Sequence, residues 1–169
     1  MIGCIASVKR PDLFKRIVLL GASPRYINTE DYEGGFETTD IERIISNIDS
    51  NYDNWASHFA SLTVDPNDPV SVDKFQKSLR KMGREVALPL AKTVFYSDER
   101  HLLDKVVTPC TIIQTQNDIV VPNSVGFYIQ KKLINTTSTV DILSNANGHF
   151  PQLTSHLELL DVLLAVLGV

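Results

Sequence analysis

Three short apolar runs punctuate an otherwise mixed chain. Residues 16–21 (RIVLLG) are continuously apolar after the first position and are stopped by Ala22-Ser23-Pro24. Residues 110–115 (CTIIQT) are entered through Pro109 and followed by Gln116-Asn117-Asp118, and residues 139–143 (TVDIL) run out into Ser144-Asn145-Ala146-Asn147-Gly148. The continuity of the first run predicts a strand covered on both faces, and the other two read as strand candidates. The second and third runs are followed by helical patterns over 124–133 and 157–167. That order predicts parallel strands joined by crossover helices.

The stretch between the first two runs, 24–107, is too long for a simple crossover and must hold structure of its own. Within 40–48, Ile41, Ile44, Ile45 and Ile48 fall at the i, i+3, i+4, i+7 spacing of an amphipathic helix, with Thr39 or Asp40 placed to cap it. Further helices are expected over 56–62, 70–82 and 85–95, separated by Asp65-Pro66-Asn67-Asp68-Pro69 and by Gly83. Helices inserted between two core strands predict a cap over the carboxyl edge of the sheet, where open α/β sheets bind ligands. The expected organisation is therefore a first helix and strand over 1–23, a mostly helical cap over 24–107, and a second core segment over 108–169.

The opening residues complicate this picture. Ile2, Cys4, Ile5, Ala6 and Val8 read as the middle of a buried helix, yet nothing ahead of them can cap its free amides. Three strands are also fewer than the four to six or so typical of a sheet. Both features predict further strands ahead of Met1.

Composition narrows the function. The 169 residues are 43% hydrophobic and 21% charged, with 16 Lys and Arg against 20 Asp and Glu and a net charge of −4. No basic stripe is present, so no grip on nucleic acid or on an anionic membrane is expected. A small, apolar partner fits better. Cys4 and Cys110 lie in apolar surroundings without metal-ligand spacing and read as reduced packing residues. No metal or cofactor is expected.

The candidate chemistry lies in two loops. Asp118 follows the second strand, and His149, in Gly148-His149-Phe150-Pro151, follows the third. An acid and then a histidine after successive strands is the order of an α/β-hydrolase, in which the acid fixes the imidazole tautomer and the imidazole takes the proton of a serine. The nucleophile motif G-x-S-x-G does not occur; the nearest string, Gly21-Ala22-Ser23-Pro24-Arg25, runs into a proline rather than a helix. On their own, Asp118 and His149 read first as ordinary loop residues, an Asp beside a proline turn and a His after a glycine. Trp55, Phe59 and Phe95 at helical positions read first as core, and His58, His101 and His156 as surface residues. Asp98-Glu99-Arg100 reads as the start of a solvated helix.

Several strings together resemble the plant strigolactone-esterase and karrikin-receptor family of α/β-hydrolases. They are the opening seven residues, Arg10-Pro11-Asp12-Leu13-Phe14, Ala22-Ser23-Pro24-Arg25-Tyr26, the segment 31–37 (DYEGGFE) and the segment 148–153 (GHFPQL). Tyr26-Ile27-Asn28, Asp98-Glu99-Arg100 and the segment 154–160 (TSHLELL) look most like the DWARF-like paralogue branch. The resemblance implies an α/β-hydrolase fold with an inserted helical cap, and places the nucleophilic serine about four residues before Met1. It implies that Asp118 and His149 are the acid and base, and that Tyr26, Trp55, Phe59 and Phe95 line an apolar pocket. After the acid the family often carries His or Leu and then Ser or Ala. Here Ile119 and Val120 make that wall more apolar. The implied function is binding and slow hydrolysis of a butenolide-type ligand, with signalling through the cap to F-box and repressor proteins in the cytoplasm and nucleus. Without the serine and its oxyanion hole, the chain as given is expected to be inactive, and the alternative is a non-catalytic remnant that binds a ligand or a protein.

Overall fold

In the computed structural model, which describes residues 1–168, the three apolar runs form one parallel sheet. Strands β1 (Ile17–Leu20), β2 (Cys110–Asn117) and β3 (Ser138–Asn147) lie in the order β1-β2-β3, with Ile17 opposite Cys110 and Cys110 opposite Ser138. Parallel strands need both faces covered. One face, with Ile17, Leu19, Cys110 and Ile112, packs against Cys4 of α1 (Ile2–Lys9) and Val125 and Ile129 of α6 (Asn123–Lys132). The other, with Val18, Ile113 and Leu143, packs against Leu159, Val162 and Leu163 of α8 (His156–Leu167), which follows the short α7 (Pro151–Thr154).

Two expectations about this core need correction. β1 is shorter than its apolar run and is not covered throughout: Leu20 is exposed, because among the described residues β1 pairs on one side only. Helix α1 buries only part of its surface. Cys4 is fully buried, whereas Ile2 is 85% exposed, because the turns at Pro11–Leu13 and Arg100–Lys105 and the flank of β1 reach only one side of it. Met1 provides no side-chain cap, as the sequence implied. Both thiols are buried, and burial pushes Cys110 up to about 12.

Four helices lie between β1 and β2: α2 (Thr38–Ser50), α3 (Tyr52–Thr63), α4 (Pro69–Met82) and α5 (Arg84–Phe95). The cap of α2 is Glu37, not Thr39 or Asp40. Asp40 sits at the third helical position and its carboxylate accepts from the Glu37 amide at 3.2 Å, completing a reciprocal capping box. Asp68 caps α4 by accepting from the Ser71 amide at 3.0 Å. Ala56, Ala60 and Leu79 form a small core between α3 and α4, with Trp55, Phe59, Val72 and Phe75 around it.

Two contacts fix this insertion to the sheet. At its base, Asp98 accepts from Arg25 Nη1 at 2.6 Å and from Arg100 Nε and Nη2 at 2.8 Å each, while the Glu99 amide donates to the Pro24 carbonyl at 2.8 Å. The segment does open a short helical turn, Arg100–Lys105, but it is half-buried rather than solvated and closes a bridge between the entry and exit of the insertion. Arg100 also lies 5.1 Å from the centre of the buried Tyr32 ring. The second contact is at the carboxyl end of α3, where Val64 bridges to Gly148 and the Thr63 carbonyl accepts from the His149 amide at 2.7 Å. Gly148 has φ +77°, and a Cβ there would stand 2.7 Å from the Thr63 oxygen.

Each contact carries a test. Arg100, foremost, and Arg25 hold the Asp98 carboxyl well below the usual carboxylate range. A depressed folded pKa gives stability that is complete above the unfolded value of about 4 and is lost as pH falls through the folded one. Asp98→Asn should lower stability by about 1 kcal/mol at pH 7. It should also flatten the fall in melting temperature below about pH 4, measured by circular dichroism across a pH series. Gly148→Ala should cost roughly 2–3 kcal/mol in urea denaturation, since it adds both left-handed strain and a clash with backbone.

Candidate active site

β2 ends at Asn117, and the chain turns sharply through Asp118 into α6. The turn is held by Asp118 itself: its Oδ1 accepts from the Val120 amide at 2.7 Å and the Val121 amide at 3.1 Å. This side-chain turn points the second oxygen in one direction. Oδ2 lies 2.7 Å from His149 Nδ1, with the Asp118 side chain 1% exposed and the His149 side chain 18%. A carboxylate with Oδ1 already filled by two amides can only accept at Oδ2. Nδ1 is therefore the donor to Asp118, and in the neutral imidazole Nε2 is left with its lone pair directed away from the acid. That is the tautomer a general base requires.

The ring is confined on its other sides. Phe150 meets it edge-on at 5.0 Å. Gly21, just past β1, approaches so closely that a Cβ there would stand 3.0 Å from His149 Cε1. Gly21 was visible in the sequence only as part of a failed nucleophile motif; its role is to leave room for the imidazole.

His149 opens into a cavity of about 350 Å³, and the five pocket residues expected from the sequence, Tyr26, Trp55, Phe59, Phe95 and Val120, all line it. Tyr26 and Phe95 meet edge-on at 5.3 Å, and Trp55 and Phe59 stack at 5.1 Å. Burial, reinforced by the charge of Asp118 and then by Tyr32, pushes the Tyr26 hydroxyl up to about 12, so it stays neutral. The sequence reading missed the contribution of α4 and α5, whose Leu79, Met82, Ala87, Leu90, Ala91 and Val94 complete the wall. The signal was present in α5 as the 87, 90, 91, 94 spacing of a helix face.

A second cavity of about 370 Å³ shares Trp55, Phe59 and Val120 with the first and is edged by Asp40, Arg43, Asn47 and His58. Ile119 lines this cavity and is 54% exposed, so of the two only Val120 joins the wall of the cavity that His149 opens into. His58, His101 and His156 are exposed, as expected. Ser23 is turned away from the imidazole: its hydroxyl donates to the Arg25 carbonyl at 2.6 Å. Among the described residues no hydroxyl or thiol is hydrogen-bonded to His149 Nε2.

No family model matches the chain. Individual relatives do. The chain is 42% identical over 165 residues to the karrikin insensitive 2 receptor IA of Petunia hybrida, covering 97% of this chain and 60% of the receptor. It is 43% identical over 159 residues to a strigolactone esterase of Arabidopsis thaliana, covering 94% of this chain and 59% of the esterase. Among solved structures, a hydrolase from Oleispira antarctica matches with a TM-score of 0.91 at 30% identity, over 98% of this chain and 60% of that one. The enol-lactonase from Burkholderia xenovorans matches with a TM-score of 0.78 at 11% identity, which speaks for the fold alone. The parallel sheet with its flanking helices is thus part of an α/β-hydrolase fold. The chain spans about 60% of the length of the curated relatives it matches, and over nearly all of its own length it is similar to strigolactone esterases and karrikin receptors.

Proposed function

We propose that the chain supplies the acid, the base and most of the ligand pocket of a serine hydrolase that binds and slowly cleaves a butenolide-type ester. In this reading Asp118 orients His149, and His149 Nε2 takes the proton of a serine carried on a strand-turn-helix ahead of α1. Residues 24–107 act as the cap, whose Trp55, Phe59 and Phe95 hold the ligand with Tyr26 and Val120. The 169-residue chain alone would bind but not turn over, because the base has nothing to activate. Signalling through the cap to F-box and repressor proteins, action in cytoplasm and nucleus, and placement in the DWARF-like branch belong to the same proposal.

The observation that carries it is the 2.7 Å Asp118–His149 pair opening into an apolar cavity. The size of that cavity, about 350 Å³, suits a small bicyclic or tricyclic lactone. The apolar lining favours an uncharged ligand, and the neutral Tyr26 hydroxyl offers it a donor beside the acid.

Trp55 is the only tryptophan, so binding has a direct optical signal. Titration with a synthetic butenolide should quench Trp55 fluorescence, and Phe95→Ala should weaken that binding about tenfold. Hydrolysis of an aryl ester should be absent from the 169-residue chain. It should be present in a version extended through the serine and lost again in the extended His149→Ala variant. Quenching without turnover in the extended form would leave a binding protein and overturn the hydrolase. Turnover by the short chain, abolished by His149→Ala, would overturn the upstream nucleophile.

A further inference from the structure

The peptide unit that joins Gly148 to His149 is held at both of its polar atoms. Its carbonyl oxygen accepts from the Thr115 hydroxyl at 2.6 Å, and its N–H donates to the Thr63 carbonyl at 2.7 Å. Thr115 is a core residue of β2, 2% exposed. Thr63 ends α3, and its carbonyl is one of those a helix leaves without an internal partner. The Gly148 amide is fixed as well, donating to the Asn117 carbonyl at 2.9 Å. Three hydrogen bonds from three directions leave the peptide plane no free rotation. The Cα of His149 lies in that plane, so the point from which the side chain departs is fixed before the imidazole meets Asp118.

We propose that Thr115 is a positioning residue for His149, acting through the Gly148 carbonyl to aim the imidazole at Asp118. The proposal deepens the hydrolase reading, since orientation matters most if His149 is a base. Thr115 does not line the cavity, and its hydroxyl bonds to the Gly148 carbonyl rather than to the ring. A hydroxyl on a buried strand position is otherwise costly, and this one is spent on a single carbonyl beside the site. Without it the Gly148 carbonyl would be buried and unpaired, and the peptide would turn to seek another donor. Geometry set by such a supporting contact is what holds a reactive side chain within a few tenths of an ångström.

The test reads the His149 Nδ1–H resonance of the 15N-labelled 169-residue chain at low temperature, assigned by its loss in His149→Ala. Thr115→Val, nearly isosteric, should shift this resonance and speed its exchange with solvent about tenfold, the factor carried by one lost buried hydrogen bond. Thr115→Ser, which keeps the hydroxyl, should restore it. Thr111→Val is the control: Thr111 is an equally buried β2 threonine whose hydroxyl lies near Arg16 and Thr139 rather than Gly148. It should leave the resonance in place even if it lowers the melting temperature. Should Thr115→Val fail to fold, Thr115→Cys, a weaker donor of similar volume, takes its place under the same criteria. An unchanged resonance in the Thr115 variant, an equal change in Thr111→Val, or no protected Nδ1–H in the parent chain would overturn the proposal. The measurement needs neither nucleophile nor ligand, so its outcome is separate from that of the titration and turnover assays.

Discussion

Between Thr115 and Asn117 the ladder joining β2 to β3 slips, and the site depends on that slip. Up to Thr115 each β2 residue faces the β3 residue 28 positions later; at Asn117 the offset is 30. Had the first offset continued, Asp118 would stand opposite Ala146, leaving His149 beyond the reach of its carboxylate. With the two extra residues taken up by β3, Asp118 comes level with Gly148, and the next side chain is the imidazole. Bulges of this kind re-aim side chains at the end of a sheet. Here the irregularity is pinned by the Asn117–Asn147 side-chain contact at 2.7 Å and by the Gly148 amide on the Asn117 carbonyl.

Once the two loops meet, everything around them is constrained. Gly148 must accept φ +77° and lie against the end of α3, which only glycine does without strain. Helix α3 in turn gains a partner for a terminal carbonyl and is thereby docked over the sheet. The same helix carries Phe59 and Trp55, one and two turns before Thr63, so the docking contact also places the stacked pair beside His149. The apolar lining that results strengthens the Asp118–His149 hydrogen bond, because little water competes for either group.

Local signals made the strands and helices legible. Continuous apolar runs announced β1 and β2, and the isoleucine spacing announced α2. What failed was whatever depended on distant partners or on unusual local chemistry. Glu37 was overlooked as a cap because glutamate is not a favoured capping residue, and only the reciprocal bond from Asp40 makes it one. The carboxyl half of β3, Ser144-Asn145-Ala146-Asn147, reads as loop because it is polar, yet it is an outer strand with one side open to solvent. Asp98 could not be recognised as a bridge because Arg25 lies 73 residues away. Asp118 and His149 were legible as a pair by their positions after consecutive strands, but their contact was not, since it rests on a register slip that no local pattern encodes.

The groups that orient the imidazole all lie within the described residues: Asp118 on Nδ1, Thr115 and Thr63 on the preceding peptide, and Gly21 and Phe150 against the ring. The wall of the cavity is supplied by the same stretch of chain. The Nε2 edge of the ring lies beside Gly21, at the carboxyl end of β1, which among the described residues pairs on one side only. In a parallel sheet that end is where the loops of neighbouring strands converge. A group that used His149 as a base would meet Nε2 beside Gly21. The lack of a side chain at position 21 then serves two ends, giving the imidazole its place and leaving the approach to Nε2 unobstructed.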